Sequence, residues 1–225
     1  MKISIIVPTL NESRCLNETL VKIQQLSPHE LIVADGGSHD DTLKIAAKFT
    51  QHIIKGPAGR ALQMNAGAQV ATGDLLLFLH ADSHIKPDSY QKMLDAMKNP
   101  KLIGGAFSLL IQSNKWTLQI INQFANLRAK YLGRAYGDQA FFVKKHVFKK
   151  MKGYTEFPIC EDLDFYKRLK FFGPVVLLKE AVHTSPRRWT NEGIWFTTIK
   201  NILISILFEL GFPPRILTKW YEAIR

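Results

Sequence analysis

The sequence LLLFLHADSH, residues 75–84, decides the fold and marks a candidate site. Its first five residues are apolar, which is typical of a strand buried on both faces of a parallel sheet. The chain then becomes polar at His80, Asp82 and His84. Ligands of open α/β sheets bind at the carboxyl ends of strands, and alternate residues of an extended chain face the same way. We therefore expect these three side chains to converge on one point, where they suit a divalent cation.

Strands and helices alternate on the N-terminal side of this stretch. Apolar strands are predicted over residues 2–7, 31–34 and 52–55, and helices over 16–26, 42–49 and the alanine-rich stretch after residue 60. A series of this kind predicts an α/β fold with a doubly wound parallel sheet and right-handed crossovers. The chain lacks GxGxxG after its first strand and lacks GxxxxGK[ST], which argues against a Rossmann dinucleotide site and a phosphate-binding P-loop.

Polar residues follow the ends of three predicted strands. They are Asn11 and Glu12 after the first, Asp35 after the second and Asp82 after the central strand. Carboxylates at strand ends suit the base, the ribose hydroxyls and a metal-bound diphosphate of a nucleotide. The site therefore has the residue types of a nucleotide pocket.

The net charge of +11 is unevenly distributed along the 225 residues. Residues 1–100 carry 10 Lys+Arg and 10 Asp+Glu, whereas residues 101–225 carry 20 and 9. A basic half indicates an anionic partner or surface, or else a solubilising face. The two widely separated cysteines fit a reducing compartment, and no stretch reads as a signal peptide or a membrane span. We expect a cytoplasmic protein.

The second half contains three further features. Residues 116–132 have the pattern of an amphipathic helix, and Glu161 and Asp162 open another helix, where acidic side chains are stabilising in any case. The stretch Ile194–Phe212 is strongly apolar but contains Lys200 and Glu209. It predicts a helix with a wide apolar face, which either packs on the core or lies at a membrane surface.

Seven short motifs, taken in order, resemble those of family 2 glycosyltransferases of the GT-A fold. They are PTLNE (8–12), ADGGSHDDT (34–42), GRALQMNAGA (59–68), LHADSH (79–84), GDQA (137–140), CEDLDF (160–165) and RRW (187–189). The resemblance is greatest to a small bacterial branch with LHAD in place of the DxD motif. It implies one GT-A domain over residues 1–225, with a mostly parallel sheet flanked by helices. Residues 1–100 would be the nucleotide-sugar-binding half, 101–190 the acceptor half and 191–225 a helical C-terminal extension.

The resemblance also implies an activity and its residues. The chain would transfer a sugar from a UDP- or GDP-linked donor, with inversion and with Mg²⁺ or Mn²⁺. Asp162, beside Glu161, matches the general base, and Asp82 and His84 match the metal-contacting positions. Arg187, Arg188 and Trp189 would contact the acceptor or a phosphate. The residues implied at the nucleotide are Pro8, Thr9, Asn11, Glu12, Asp35, Gly36, Arg60, Gln63, Asn65, His80 and Asp82.

One departure and several alternatives remain at this stage. His80 replaces the first aspartate of DxD, which leaves one negative charge fewer beside the diphosphate. A metal-dependent phosphoester hydrolase using His80, Asp82, His84 and His183 is the main alternative, and a nucleotidyltransferase or a non-catalytic module that binds anionic membrane are others. The basic half beside an apolar helix suits an anionic lipid or polyprenyl phosphate acceptor and peripheral contact with the inner face of a membrane. We expect no nucleic-acid partner.

Overall fold

The computed structural model describes residues 1–221, which form one eight-stranded sheet with helices packed against it. The strands are β1 (Ile3–Thr9), β2 (Glu30–Asp35), β3 (Ile53–Lys55), β4 (Leu75–Phe78), β5 (Ser83–Ile85), β6 (Gly104–Ile111), β7 (Phe142–Lys144) and β8 (Val175–Thr184). The helices are α1 (Leu16–Gln24), α2 (Thr42–Ala46), α3 (Arg60–Val70), α4 (Pro87–Met97), α5 (Trp116–Leu132), α6 (Lys145–Lys150), α7 (Glu161–Phe172), α8 (Arg187–Glu192), α9 (Ile194–Glu209) and α10 (Pro214–Thr218).

The strand order is β3-β2-β1-β4-β7-β6-β8-β5. Strands β3, β2, β1 and β4 are parallel, as are β6 and β8, whereas β7 runs antiparallel to β4 and β6, and β5 runs antiparallel to β8. The chain moves outward from β1 to β2 and β3, and then returns through α3 to β4 on the other side of β1. This reversal creates a crevice between the carboxyl ends of β1 and β4. The prediction of an α/β fold with a mostly parallel sheet is confirmed.

The core consists of two apolar layers, one on each face of the sheet. Ile5 and Val7 of β1 face the layer that contains α1 and α4, and Ile6 between them faces the layer that contains α3 and α7. The strand Leu75–Phe78 is buried along its whole length, as its uniformly apolar sequence predicts. Burial on both faces explains why these strands lack alternating polar residues.

A close approach of backbones fixes glycine in β6. A methyl group at Gly105 would lie 2.1 Å from the backbone oxygen of Val176 in β8.

The predicted helices and strands differ from the observed ones mainly at their ends. The predicted helix over 42–49 ends as α2 at Ala46, because the next amides bond three residues back, as from Lys48 to Ile45.

The predicted C-terminal extension, residues 191–225, contains the end of α8 and the whole of α9 and α10, and its last residues, 222–225, lie outside the described residues. Within residues 1–221, none of the helices has the length and hydropathy needed to cross a membrane. Helix α9 turns polar residues toward the sheet domain and leaves several large apolar side chains exposed. It is therefore not a simple core helix.

Candidate functional site

A cavity of about 680 Å³ opens at the crevice between the ends of β1 and β4. Its wall combines the loop after β1, the turn after β4, the start of α7, the segment after β8 and one side of α9. The predicted site residues in this wall are Pro8, Thr9, Asn11, Glu12, Arg60, Gln63, His80, Asp82, Glu161, Asp162, Arg187, Arg188 and Trp189. Residues from both halves of the sequence therefore meet in one place.

Asp35 shapes the loop beside the cavity rather than lining it. Its carboxylate accepts hydrogen bonds from the Thr9 hydroxyl at 2.9 Å and from the backbone N–H groups of Gly37 at 2.9 Å and Ser38 at 2.8 Å. The side chain of Asn11 in turn accepts the backbone N–H of His39 at 2.9 Å. These bonds tie the loops after β1 and β2 together.

Two predicted nucleotide residues of α3 bond to the protein backbone. Gln63 donates to the carbonyl oxygens of Thr9 at 2.6 Å and Ala34 at 2.9 Å, so it fixes the ends of β1 and β2. Asn65 donates to the Tyr154 carbonyl at 2.9 Å and accepts its N–H at 2.8 Å. Asn65 does not line the cavity, and the expectation that it does is wrong, because both polar atoms of its amide bond Tyr154.

Gly36 also lies outside the cavity wall. A methyl group there would approach the Ala58 Cα and the Gln63 amide at 3.1 Å. Gly36 therefore lies where the loop after β2 packs closely against the start of α3, and it does not face the cavity.

His84 lies apart from His80 and Asp82. The chain turns between them, since the Ser83 N–H donates to the His80 carbonyl at 3.1 Å. His84 then enters β5, where its ring stacks on His183 with centroids 5.0 Å apart and its Nδ1 lies 3.4 Å from Lys22 Nζ. The expectation that the three side chains converge is wrong for His84, because residues 80–84 are not an extended chain.

Arg187 bridges two carboxylates of the cavity. Its Nη2 lies 2.9 Å from Glu12 Oε2 and 3.7 Å from Asp82 Oδ2. Burial raises the pKa of Asp82, the Arg187 charge opposes this rise, and the Glu12 charge adds to it. The Arg187 guanidinium thus partly neutralises the negative charges of both Glu12 and Asp82.

The start of α7 places Glu161 and Asp162 in the wall with different partners. Asp162 Oδ2 accepts the Gly137 N–H at 2.7 Å, and its Oδ1 accepts the Leu163 N–H at 2.8 Å. Glu161 is buried and lies 3.5 Å from Arg60 Nε, and its charge is the main cause of the raised pKa of Arg60. Asp162 is thus held in place by backbone donors, whereas Glu161 balances a cation.

Arg188 and Trp189 lie in the wall at the start of α8. The Arg188 guanidinium lies 3.3 Å from Glu192 and stacks over the Tyr221 ring at 4.3 Å. The indole N–H of Trp189 is buried without a hydrogen-bond partner among residues 1–221. Both residues line the cavity, and their contact with an acceptor stays a prediction.

Several cavity residues were not predicted from the sequence. Asp138, within the GDQA motif, has its pKa raised to about 6 by burial, although the Arg128 charge opposes the rise. Tyr136 stacks under the Arg128 guanidinium at 3.3 Å. Asn201 and Ser205 line the cavity from α9. The sequence signal for them was their polarity within an otherwise apolar helix, because such residues line a cavity as readily as they face solvent.

The residues present fit a divalent cation that is shared with a substrate. Within residues 1–221, no three His, Cys, Asp or Glu side chains are grouped as a complete metal site. Mg²⁺, however, usually takes one or two protein carboxylates and completes its shell with substrate phosphates and water. Asp82 and Glu12, which together hold a guanidinium, supply such a partial set.

The sheet, with its cavity at the switch point between β1 and β4, has the GT-A fold. Two solved structures have this fold: the mannosyltransferase PcManGT of Pyrobaculum calidifontis with GDP-Man and Mn²⁺, and S. aureus TarS 1-349 with UDP-GlcNAc. PcManGT has a TM-score of 0.69 and 16% identity, and the match covers 90% of this chain and 62% of that structure. TarS has a TM-score of 0.66 and 18% identity, and the match covers 82% of this chain and 58% of that structure.

The chain belongs to Glycosyl transferase family 2, whose profile matches residues 4–154. One curated relative, the dolichol-phosphate mannosyltransferase of Pyrococcus furiosus, is 30% identical over 108 residues. This alignment covers 44% of the chain and 31% of that protein, so the chain spans less than half of the relative's length. The hydrolase, nucleotidyltransferase and non-catalytic alternatives are thereby set aside.

Proposed function

We propose that the chain transfers a sugar from a UDP- or GDP-linked donor to an acceptor hydroxyl or phosphate, with inversion and with Mg²⁺ or Mn²⁺. The observation that carries the proposal is the shared cavity, in which the loop after β1 and the turn after β4 meet Asp162 of α7. The donors in the two neighbouring structures support a nucleotide sugar. We assign residues 1–100 to the donor half, 101–190 to the acceptor half and 191–225 to a C-terminal extension.

The donor half binds the nucleotide at the ends of β1 and β2. Pro8, Thr9, Asn11 and Glu12 contact the base and ribose, and Asp35 acts by holding their loop. Arg60 and Gln63 lie at the other side of the nucleotide, with Gln63 fixing the strand ends. His80 lies at the cavity side of the turn after β4.

The diphosphate leaves from the region of Asp82. A divalent cation there would be held by Asp82, with Glu12 beside it, and would neutralise charge that develops on the leaving diphosphate. Arg187 is positioned to donate to the same oxygens, because guanidinium groups bind phosphate through several N–H donors. His84 is not part of this set.

Asp162 takes the proton of an acceptor hydroxyl, or the one proton that a phosphate monoester acceptor carries below its second pKa of about 6. As the acceptor oxygen bonds to the anomeric carbon, the bond from that carbon to the diphosphate breaks, and the proton moves to an Asp162 oxygen. A carboxylate has about four lone-pair sites, and backbone N–H groups occupy two of them here. Glu161 keeps Arg60 in place rather than acting as a second base.

The acceptor half suits an anionic amphiphile, such as a polyprenyl phosphate or an anionic lipid. The excess positive charge lies entirely in residues 101–225. Arg188 and Trp189 offer a cation and an aromatic surface at the cavity. The P. furiosus relative is named for transfer to dolichol phosphate, which supports a lipid phosphate. We assign the protein to the cytoplasm, in peripheral contact with the inner face of a membrane.

Thermal denaturation with UDP or GDP and Mn²⁺ tests the donor site. At 100-fold excess over Kd, ligand binding adds about 2.7 kcal/mol to the free energy of unfolding, which raises Tm by roughly 5–10 °C for a chain of this size. Asp82→Ala should remove the metal-dependent part of the shift, whereas Asp88→Ala, in the first turn of α4, should retain it. An unchanged metal-dependent shift in Asp82→Ala would contradict the site.

A further inference from the structure

Helix α9 has the opposite orientation to that of an ordinary amphipathic surface helix. Such a helix normally turns its apolar stripe inward. Here Asn201, Ile204 and Ser205 face the cavity, and the apolar side chains on the other side face solvent. The exposed apolar residues of α9 are Trp195, Phe196, Ile199, Ile202, Leu203 and Ile206, and Leu210 follows directly after its end. Phe196 and Ile199 are each 62% exposed, so the core does not cover this side.

Helix α5 packs against α9 and carries a second stripe. Trp116, Phe124, Leu127 and Tyr131 are exposed at spacings of eight, three and four residues, which places them on one side of the helix. Phe124 is 68% exposed. Because the two helices are in contact, we treat their stripes as one surface, here called the α5–α9 face. Exposed apolar areas mark interaction sites.

The charges on the helices that form and flank the α5–α9 face are mostly positive. Helix α5 contains no Asp or Glu, and Lys115 and Lys130 are exposed at its two ends. Arg215 is exposed on α10, which packs on α9, and Lys219 is exposed directly after α10. The one acidic residue of α9, Glu209, is paired with Arg134. A partner for this face must therefore be apolar and anionic together.

We propose that the α5–α9 face binds the surface of an anionic lipid bilayer. Aromatic and aliphatic side chains enter the interfacial region, and the flanking cations contact lipid headgroups. An isologous dimer through this face would instead bring equal positive charges together. Since α9 also forms a wall of the cavity, binding places the cavity beside the headgroups. The assignment rests on the proposed lipid-phosphate acceptor and names the surface that presents the enzyme to it.

Flotation with liposomes tests the proposal. The full chain should float with vesicles that contain phosphatidylglycerol, less with phosphatidylcholine alone, and less as salt rises, because surface charge is screened over about 10 Å at 0.1 M salt. Phe124→Glu and Trp195→Glu should each lower the partition coefficient about tenfold, since an aromatic ring is lost and a repelled charge is added. Val21→Glu is the matched control, because Val21 is exposed on α1, which is not one of the two helices that form the face. The Val21→Glu variant should float to the same extent as the wild-type protein.

Two results would overturn the proposal. One is a chain that stays in the soluble fraction with anionic vesicles at low salt. The other is a stable dimer in light scattering that Phe124→Glu converts to a monomer, which would assign the α5–α9 face to a second copy. The Tm shift with GDP or UDP and Mn²⁺ is measured on the same preparations. If the Tm shift is retained but the chain does not float, only the proposed membrane surface is contradicted. If the chain floats but nucleotide and Mn²⁺ do not shift its Tm, only the proposed donor site is contradicted.

Discussion

Replacing Asp162 with asparagine tests the proposed base, and the structure indicates that this change has two separable effects. The two carboxylate oxygens accept backbone N–H groups from Gly137 at 2.7 Å and Leu163 at 2.8 Å. An asparagine side chain has one acceptor oxygen, so its NH₂ group must face one of these two donors. The variant therefore loses a hydrogen bond as well as the proton acceptor.

The two effects differ in size. An unsatisfied backbone donor costs about 1–3 kcal/mol of folding free energy, toward the lower end where the site is open to water. Loss of the general base should lower turnover by about 10²–10⁴-fold, which corresponds to roughly 3–5 kcal/mol in the activation barrier. Donor binding should change little, because the proposed nucleotide contacts come from the loop after β1 and from α3.

The assay combines release of nucleoside diphosphate, urea denaturation and calorimetric titration with UDP or GDP. Asp164→Asn is the matched control, because Asp164 lies in the same first turn of α7 but pairs with Thr155 at 2.6 Å and Arg168 at 2.7 Å outside the cavity. It should lose stability and keep turnover. A folded Asp162→Asn variant with near-normal turnover would refute the assignment and leave Asp162 as a residue that orders the helix start.

Three further outcomes follow from single contacts. Burial, followed by the Lys22 charge, lowers the pKa of His84 from 6.5 to about 4. Between these pH values the unfolded chain binds more protons than the folded chain, so the free energy of unfolding falls as pH decreases. His84→Gln should reduce the accompanying loss of Tm. Arg187→Met removes the charge that opposes the raised pKa of Asp82, so the pH midpoint of Mn²⁺-dependent stabilisation should move upward in thermal denaturation. Gly105→Ala should lower the free energy of unfolding by at least about 1–3 kcal/mol in urea, since its methyl group would lie 2.1 Å from a backbone oxygen, whereas Gly56→Ala meets nothing within 4 Å.

The sequence alone determined the class of fold and the cavity residues that follow strand ends. Buried parallel strands require continuous apolar runs, so Leu75–Phe78 could be identified from local composition. Polar residues directly after such strands emerge at one edge of the sheet, and of those predicted there Asn11, Glu12 and Asp82 line the cavity, whereas Asp35 does not. These inferences depend on short-range periodicity, which the sequence contains in full.

Only the tertiary structure decided which polar side chains face the cavity and which serve the fold. Asn65 is satisfied by Tyr154, 89 residues away, and His84 turns toward Lys22 and His183 because the chain bends after His80. The orientation of α9 was also undetermined, since an apolar helix with a few polar residues can turn either side inward. Long-range hydrogen bonds and packing partners settle such choices, and neither is encoded in local spacing.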